Sequence, residues 1–182
     1  TTAPPARSRH CAWFTNGKFY VHGGIGNNFQ PINDLWNYDP TTKEWTPIDM
    51  AGNHPSARMN HEAVVLSDGN VLISGGYDGS NELDDLWKYE PATNQWTQIS
   101  TLPGAVESHV AQIVDNTLYI FYFTQGYSYN LSSGNWTTGL QTPSILSGAS
   151  SLVGQNQSGE KIIFIFGGLI SGGTYTDKVH EY

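Results

Sequence analysis

The side chains that could bind a metal in this sequence are six histidines and one cysteine, Cys11. His22, His54 and His180 show no paired spacing such as His-x3-His, and no cluster of cysteines accompanies them, so their spacing gives little support to a zinc site. A single cysteine cannot form an internal disulfide, and we expect Cys11 to pack within a strand rather than to react. We therefore predict no metal site and no cofactor.

Groups suited to catalysis are also sparse. Asp34, Asp84 and Asp85 lie at the starts of predicted strands, where their carboxylates can accept backbone hydrogen bonds, and their spacing does not mark a catalytic pair. The sequence contains neither a glycine-rich phosphate-binding loop nor the nucleophile elbow of a hydrolase. We therefore predict that the protein is not an enzyme.

A sequence pattern recurs along the chain. The stretch NDLWNYDPTTKEW at residues 33–45 returns as DDLWKYEPATNQW at residues 84–96. Ahead of these stretches, Gly23–Gly24 corresponds to Gly75–Gly76. A period of about 50 residues indicates a repeat architecture.

Two further units are less regular. In the third, FYF at 121–123 replaces the glycine pair, but Tyr129 and Trp136 keep the Tyr-to-Trp interval of the first two units. The fourth begins at Pro143, contains FIFGG at 164–168 and stops at Tyr182. The repeat therefore extends over the whole sequence.

Each unit divides into four short predicted strands. In the first unit they are HCAWFT, KFYVHGG, DLWNYD and EWTPI, with a turn at Asn16–Gly17 and another at PTTK. Four strands per unit are typical of a propeller blade. The double glycine, the Tyr-to-Trp interval and the Pro, Arg and His positions that open the first strand resemble the kelch repeat.

The resemblance implies an all-β fold made of kelch-type β-propeller blades of four antiparallel strands. Twenty glycines, nine prolines and 13% aromatic residues agree with it. The predicted limits are 4–50 for blade 1, 55–100 for blade 2, 103–140 for a degenerate blade 3 and 143–182 for a truncated blade 4, so that residues 1–182 form one partial propeller.

The number of blades is too small for closure. Closed propellers have about four to eight blades, and this sequence supplies three with three strands of a fourth, which makes an incomplete ring. We expect further repeats beyond Tyr182; the alternative is closure by partner copies in a head-to-tail assembly. In either ring His10, His61 and His109, which share one repeat position, would lie around the axis rather than converge on one metal, so we expect structural roles for them.

The net charge of −8 argues against nucleic acid or an anionic membrane as the main partner. No apolar run approaches the roughly 18 residues of a membrane span, and the first ten residues lack the apolar core of a signal peptide. We expect no membrane insertion.

The resemblance also implies where ligands bind. In kelch propellers the loops joining second to third strands and those joining consecutive blades open on one face, where ligands usually bind. The alternative for any single residue is a neutral loop position or, as for Arg58, a brace within its own blade. Carried over by position, the binding residues are Arg7, Arg9, Asn27, Asn28, Phe29, Arg58, Met59, Asn60, Tyr77, Asp78, Asn81 and Glu82.

The third unit breaks the symmetry of this face. It has only Thr124–Gly126 where the first unit has Ile25–Leu35. A notch at this point, flanked by the longer loops of the first two units, could accept a segment of a partner. Simple loop loss in a drifting repeat explains the difference equally well.

Three N-x-[ST] sequons, at Asn130, Asn135 and Asn156, are candidate glycosylation sites. With scarce lysine and polar, asparagine-rich loops, they favour an extracellular or cell-surface protein. A cytoplasmic location is the alternative.

The favoured function is a noncatalytic recognition module that binds a protein partner through the loops of one propeller face. One alternative is the propeller of a carbohydrate-active, galactose-oxidase-like enzyme with its catalytic residues outside this segment. Such enzymes use a copper site with a Cys–Tyr crosslink and an adjacent Tyr-His pair, and no tyrosine here directly precedes a histidine. The Glu-x3-Asp-x3-His iron motif of the kelch-like plant specifier proteins is also absent.

A third hypothesis is a structural subunit of a surface assembly, in which copies contact each other through unpaired blade edges. Carbohydrate stays a candidate ligand beside protein. The sequence does not identify the partner, the total number of blades, attached domains or the oligomeric state.

Overall fold

The computed structural model describes residues 2–50, 52–142, 147–170 and 173–182. Within these residues all regular structure is β-strand. The strands form three four-stranded antiparallel sheets, one three-stranded sheet and one two-stranded sheet. The predicted all-β fold with blades of four antiparallel strands is therefore confirmed.

The first two sheets correspond to the two most similar repeats, and in each of them the strands pair in chain order. The first sheet contains β1 (Cys11–Thr15), β2 (Lys18–His22), β3 (Leu35–Asp39) and β4 (Glu44–Ile48). The second contains β5 (Glu62–Val65), β6 (Val71–Ser74), β7 (Leu83–Glu90) and β8 (Gln95–Val106).

The third sheet repeats this arrangement, whereas the fourth has three strands. The third contains β9 (Val110–Val114), β10 (Thr117–Tyr122), β11 (Gln125–Asn130) and β12 (Asn135–Leu140). The fourth contains β13 (Ser150–Gln155), β14 (Lys161–Phe166) and β17 (Val179–Glu181), and a separate hairpin consists of β15 (Leu169–Ile170) and β16 (Thr174–Tyr175). The repeat limits stay predictions, and the limit at 143 lies outside the described residues.

The chain divides into two compact units, Thr1–Ala105 and Val106–Tyr182. In the first unit β1 packs beside β5, and in the second β9 packs beside β13 and β14. Each unit has its own apolar core. The core of the first contains Cys11, Trp13, Tyr20, Leu35, Val71, Ile73, Trp87, Tyr89 and Trp96, and that of the second contains Val110, Phe121, Ile163 and Ile165.

The glycine pairs end the second strand of a sheet where the backbone is too crowded for a side chain. Gly24 and Gly76 have φ of 97° and 109°. A Cβ at these positions would lie 2.6 Å from the carbonyl oxygen of Ser8 and 2.8 Å from that of Met59. Larger residues would both clash and adopt an unfavourable backbone conformation, which is why both copies have glycine there.

Among the residues that the structure describes, none belongs to a helix long and apolar enough to cross a lipid bilayer.

Candidate functional site

Two of the predicted binding residues, Arg7 and Arg58, have buried side chains. The side chain of Arg58 is fully buried. Its guanidinium donates to both carboxylate oxygens of Asp85, at 2.6 and 2.7 Å, and to the carbonyl oxygen of Gly75 at 2.9 Å. The indole nitrogen of Trp87 donates to the same carboxylate at 2.6 Å. Arg58 thus connects the segment before β5 to the end of β6 and the start of β7.

The first repeat contains the same network. Arg7 donates to both oxygens of Asp34 and to the carbonyl oxygen of Gly23, and Trp36 donates to Asp34 at 2.7 Å. Burial opposes the charge on Asp34, but the hydrogen bonds from Arg7 and Trp36 outweigh it and lower the pKa of this carboxyl from its ordinary value. These contacts are those expected of a brace, which was the alternative for Arg58, and Arg7 makes the same contacts. A binding role for either arginine stays a prediction.

The loop between β2 and β3 carries the most exposed of the predicted residues. Its base is fixed, because Ile25 forms β-bridges with Ser8 and Pro31. Phe29, close to the loop tip, has φ of 57° and is 80% exposed. Asn27 and Asn28 beside it are exposed as well. The loop therefore presents an aromatic side chain to solvent from a rigid base.

The corresponding loop between β6 and β7 is built by local hydrogen bonds. Tyr77 bridges Met59 and Glu82. The carboxylate of Asp78 accepts hydrogen bonds from the backbone of Ser80 at 2.8 Å and of Asn81 at 2.7 Å, and these bonds lower the pKa of Asp78. Asn81 and Glu82 are exposed, and Tyr77 and Asp78 are partly exposed. Asp78 thus orders the turn that displays its neighbours.

These two loops are neighbours. A Cβ at Gly79 would lie 3.3 Å from Pro31, so the loops of consecutive sheets are in contact. An open groove of about 360 Å³ lies next to Phe29 and is lined by Ala6, Arg7, Ser8, Ile25, Gly26, Asn27 and Phe29. We use the term loop surface for Arg9, Asn27, Asn28, Phe29, Asn60, Tyr77, Asp78, Asn81 and Glu82 together.

Arg9 and Asn60 occupy the same repeat position at the entry to the first strand of their sheets. Both have φ of 56°, and the backbone N–H of Asn60 donates to the carbonyl oxygen of Arg9 at 2.9 Å. The exposed Arg9 reaches the sulfur of Met59, which is buried, at 3.8 Å. The loops between consecutive sheets are therefore connected residue to residue at this position.

A second open groove, of about 490 Å³, lies at the other end of these sheets. Its lining residues are Asn16, Lys18, Tyr20, Asn37, Pro47, Ile48, Asp49, Tyr89, Pro91, Ala92 and Asn94. Tyr20 and Tyr89 are buried core residues and offer it little surface. The exposed lining residues of this groove are Asn16, Pro47, Asp49, Ala92 and Asn94, and none of them is aromatic.

The shortened loop of the third unit is a tight hairpin. Tyr122 pairs with Gln125, which leaves only Phe123 and Thr124 between β10 and β11. Phe123 stands where the other units have the second glycine and keeps a left-handed φ of 52°. The loop between the second and third strands is thus short in the third repeat, whereas the notch stays a prediction.

The three sequons differ in their surroundings. Asn130 and Asn135 are exposed at the β11–β12 turn. The side chain of Asn156 is held within its own turn, since its amide nitrogen donates to Glu160 at 2.7 Å and its oxygen accepts from Ser158 and Glu160. Of the three, Asn156 therefore has the least available amide nitrogen, and glycosylation stays a prediction.

The structure also brings together three residues that sequence spacing did not connect. Cys11, His22 and His61 are buried, and their candidate ligand atoms all lie within 4.8 Å of one another. Burial, with a smaller contribution from the charge of Arg58, lowers the pKa of His22 to about 3, and burial raises the pKa of the Cys11 thiol. The Cys11 thiol and the His22 imidazole are thus neutral, and they lie beside His61 in the interior of the first compact unit.

Antiparallel four-stranded sheets that repeat along the chain, the first two with a glycine pair after the second strand, define a β-propeller repeat protein. The family model that matches residues 1–122 is the KLHDC2/KLHL20/DRC7 Kelch-repeats domain. The chain belongs to this kelch-repeat family, which confirms the resemblance.

Several curated proteins resemble the chain. The leucine-zipper-like transcriptional regulator 1 homolog of Drosophila melanogaster is 25% identical over 206 residues, which cover 100% of this chain and 21% of that protein. Kelch-like protein 36 of Rattus norvegicus is 30% identical over 140 residues, which cover 72% of this chain and 21% of that protein. Kelch-like protein terF of Aspergillus terreus is 29% identical over 159 residues, which cover 72% of this chain and 33% of that protein. The chain thus spans a fifth to a third of these relatives.

A solved structure described as "Structure of YjhT" shares the fold. It matches with a TM-score of 0.69 at 14% identity, over 96% of this chain and 81% of that one. The similarity to these proteins does not support the extracellular, glycosylated protein expected from the sequons.

Proposed function

We propose that the protein is a noncatalytic recognition module that binds a protein partner through the loop surface of its first compact unit, Thr1–Ala105. Phe29 is the central contact. The observation that carries the proposal is the 80% exposure of this aromatic side chain beside an open groove. Aromatic residues, phenylalanine among them, are enriched in protein interfaces relative to the rest of the surface. Membership of the kelch-repeat family supports a binding module of this kind.

The backbone of Phe29 strengthens the argument. A bulky residue at φ of 57° costs about 1 kcal/mol or more relative to glycine. At 80% exposure the ring recovers little of that cost by burial. The side chain therefore contributes little to folding, and contact with a partner gives it a role.

The charges of this region indicate the chemistry of the partner. Arg7 and Arg58 are neutralised by Asp34 and Asp85, so they offer little positive charge to a ligand. Glu82 and Asp84 are exposed acids, and Arg9 is the exposed cation of the loop surface. A basic segment with an apolar side chain for the groove would fit this surface best. A cytoplasmic location is part of the proposal, in place of the extracellular one.

The test compares two exposed phenylalanines. Phe14, which is 60% exposed, lies in β1 close to the Asn16–Gly17 turn, at the opposite end of the strand from the loop surface. Partners captured from cells by the wild-type chain are compared with those captured by Phe29→Gly and Phe14→Ala, and purified partners are then titrated by calorimetry. We expect Phe29→Gly to weaken binding by about tenfold or more with unchanged or higher thermal stability, and Phe14→Ala to leave binding unchanged.

Equal binding by the wild-type chain and Phe29→Gly would contradict the proposal. Loss of binding in Phe14→Ala alone would place the contact at the other end of the sheets.

A further inference from the structure

The cluster of Cys11, His22 and His61 has the composition and the geometry of a metal site, which goes beyond the recognition function. Cys11 and His22 are partners in the register of β1 and β2, so their side chains lie on the same face of the sheet. His61 precedes β5 of the next sheet. Its Nε2 lies 2.9 Å from Sγ of Cys11 and 3.0 Å from Nδ1 of His22.

Hydrogen bonding among these three groups leaves the cluster incompletely satisfied. A single imidazole nitrogen has either one proton or one lone pair, so Nε2 of His61 can form only one good hydrogen bond with its two neighbours. Nε2 of His22 is buried and has no hydrogen-bond partner among the described residues. An ion between the three ligand atoms would replace the competing contacts at Nε2 of His61, and it would fix the proton of His22 on Nε2.

The same places in other repeats are occupied differently. In the second sheet the register pair equivalent to Cys11 and His22 is Glu62 and Ser74. In the third sheet the equivalent pair is Val110 and Phe121, which belong to the apolar core of Val106–Tyr182. Ala149, at the repeat position of His61, packs against them. The fold therefore does not require polar side chains here. Three side chains of types that can bind a metal meet between the first and second sheets. The corresponding place between the third and fourth sheets is filled by apolar side chains.

We propose that Cys11, His22 and His61 bind one Zn²⁺ ion, through Sγ, Nδ1 and Nε2, and that this ion joins the first sheet to the second. Thiolate sulfur and imidazole nitrogen are the preferred ligands of zinc in proteins. Around a tetrahedral zinc, two nitrogens lie about 3.4 Å apart and a nitrogen and a sulfur about 3.6 Å apart, from the usual bond lengths. The contacts of Nε2 of His61 with Nδ1 of His22 and with Sγ of Cys11 need to lengthen by about 0.4 and 0.7 Å to reach these values. All three candidate ligand atoms lie within 4.8 Å of one another, so binding requires only a local rearrangement of the side chains.

Three protein ligands leave the fourth position of a tetrahedral ion to water or another small ligand. Binding replaces the Sγ–H bond of Cys11 by an Sγ–Zn bond and releases one proton to the solvent. No change of oxidation state is involved. Glu62, adjacent to His61, is partly buried and interacts electrostatically with Cys11.

The experiment supplies metal during refolding of the full chain, because the cluster is buried. Chain refolded with Co²⁺ should bind one ion per molecule and show a thiolate-to-cobalt charge-transfer band with the intense visible bands of tetrahedral cobalt. Zn²⁺ should displace the cobalt and raise the thermal midpoint. Proton release on binding should appear in a pH-indicator titration.

Variants taken from the other repeats keep the test independent of folding failure. Cys11→Val and His22→Ser introduce the residues of the equivalent positions, Val110 and Ser74, and should remove the charge-transfer band or weaken binding by more than about tenfold. The matched control is His10→Gln, since His10 shares the repeat position of His61 but is exposed. It should bind like the wild-type chain.

Circular dichroism of each variant establishes that it is folded. Failure of the wild-type chain to bind cobalt or zinc at one ion per molecule would overturn the proposal. Unchanged metal binding in a folded Cys11→Val variant would overturn it as well, because the ion would then lie elsewhere.

Discussion

At the residue scale, the arginine–aspartate–tryptophan network predicts a large effect on stability. Arg58→Lys places an ammonium group where the guanidinium is fully buried and removes the bidentate hydrogen bonds to Asp85, and we expect a loss of about 3 kcal/mol in the free energy of unfolding. Urea unfolding measures it. The matched control is Arg9→Lys, at an exposed arginine, where a change within about 0.5 kcal/mol is expected. A stable Arg58→Lys variant with weakened partner binding would instead favour a contact role for Arg58.

A second residue-scale prediction concerns acid sensitivity. Burial lowers the pKa of His109 from 6.5 to about 3. Below pH 6.5 His109 is therefore protonated in the unfolded chain, whereas in the folded chain it stays neutral down to about pH 3. Stability from this residue is therefore complete above pH 6.5 and falls as the pH drops towards 3, by up to about 1.4 kcal/mol per pH unit. His109→Gln should reduce the slope of the urea-unfolding profile between pH 6 and 4, and His22, whose pKa burial also lowers to about 3, should supply the slope that is left.

Between pH 8 and 7 the profiles of the wild-type chain and His109→Gln should run parallel, whatever the difference in their absolute stability. An unchanged slope below pH 6 in the variant would mean that His109 does not carry this sensitivity.

At the element scale, the glycine that follows the second strand is expected to be more important than a glycine in a turn. Gly24→Ala places a Cβ 2.6 Å from a backbone oxygen and keeps a left-handed φ of 97°, and we expect destabilisation of about 3 kcal/mol or more. Gly17→Ala, with φ of 75° and open space around it, should cost only about 1 kcal/mol. Thermal and urea unfolding measure both, and equal effects would contradict crowding as the cause.

Much of the strand arrangement could be predicted from the sequence, because turn residues and the repeat define the hairpins. A hairpin centred between Asn16 and Gly17 pairs residue 11 with residue 22, so the Cys11–His22 pair was available from the sequence. Spacing along the chain does not show which residues face each other across a hairpin, and for this reason it gives no sign of a zinc site here. The approach of His61 could not be predicted, since it depends on how one sheet packs against the next.

The arginine brace also had a signal in the repeat. Arg7 and Asp34 are separated by 27 residues, as are Arg58 and Asp85, and such a matched pair of opposite charges indicates a shared internal contact. The left-handed conformation of Phe29 had no such signal, because loop dihedrals in a non-glycine residue depend on the surrounding hydrogen bonds. Loop position predicted that Phe29 is exposed, but not that its base is fixed by bridges.

At the scale of the whole molecule, the net charge of −8 should influence how fast the proposed partner binds. A chain with this charge attracts a basic partner over a distance, and salt screens the attraction while leaving apolar contacts at Phe29 largely unaffected. We expect the association rate constant to fall by about tenfold or more on going from low to high salt, with a much smaller change in the dissociation rate. Surface plasmon resonance with the purified partner measures both rates.

Phe29→Gly should show the opposite behaviour, with faster dissociation at every salt concentration and nearly unchanged association. If the association rate is insensitive to salt, the partner is not basic, and the exposed acids Glu82 and Asp84 do not contribute to its recognition.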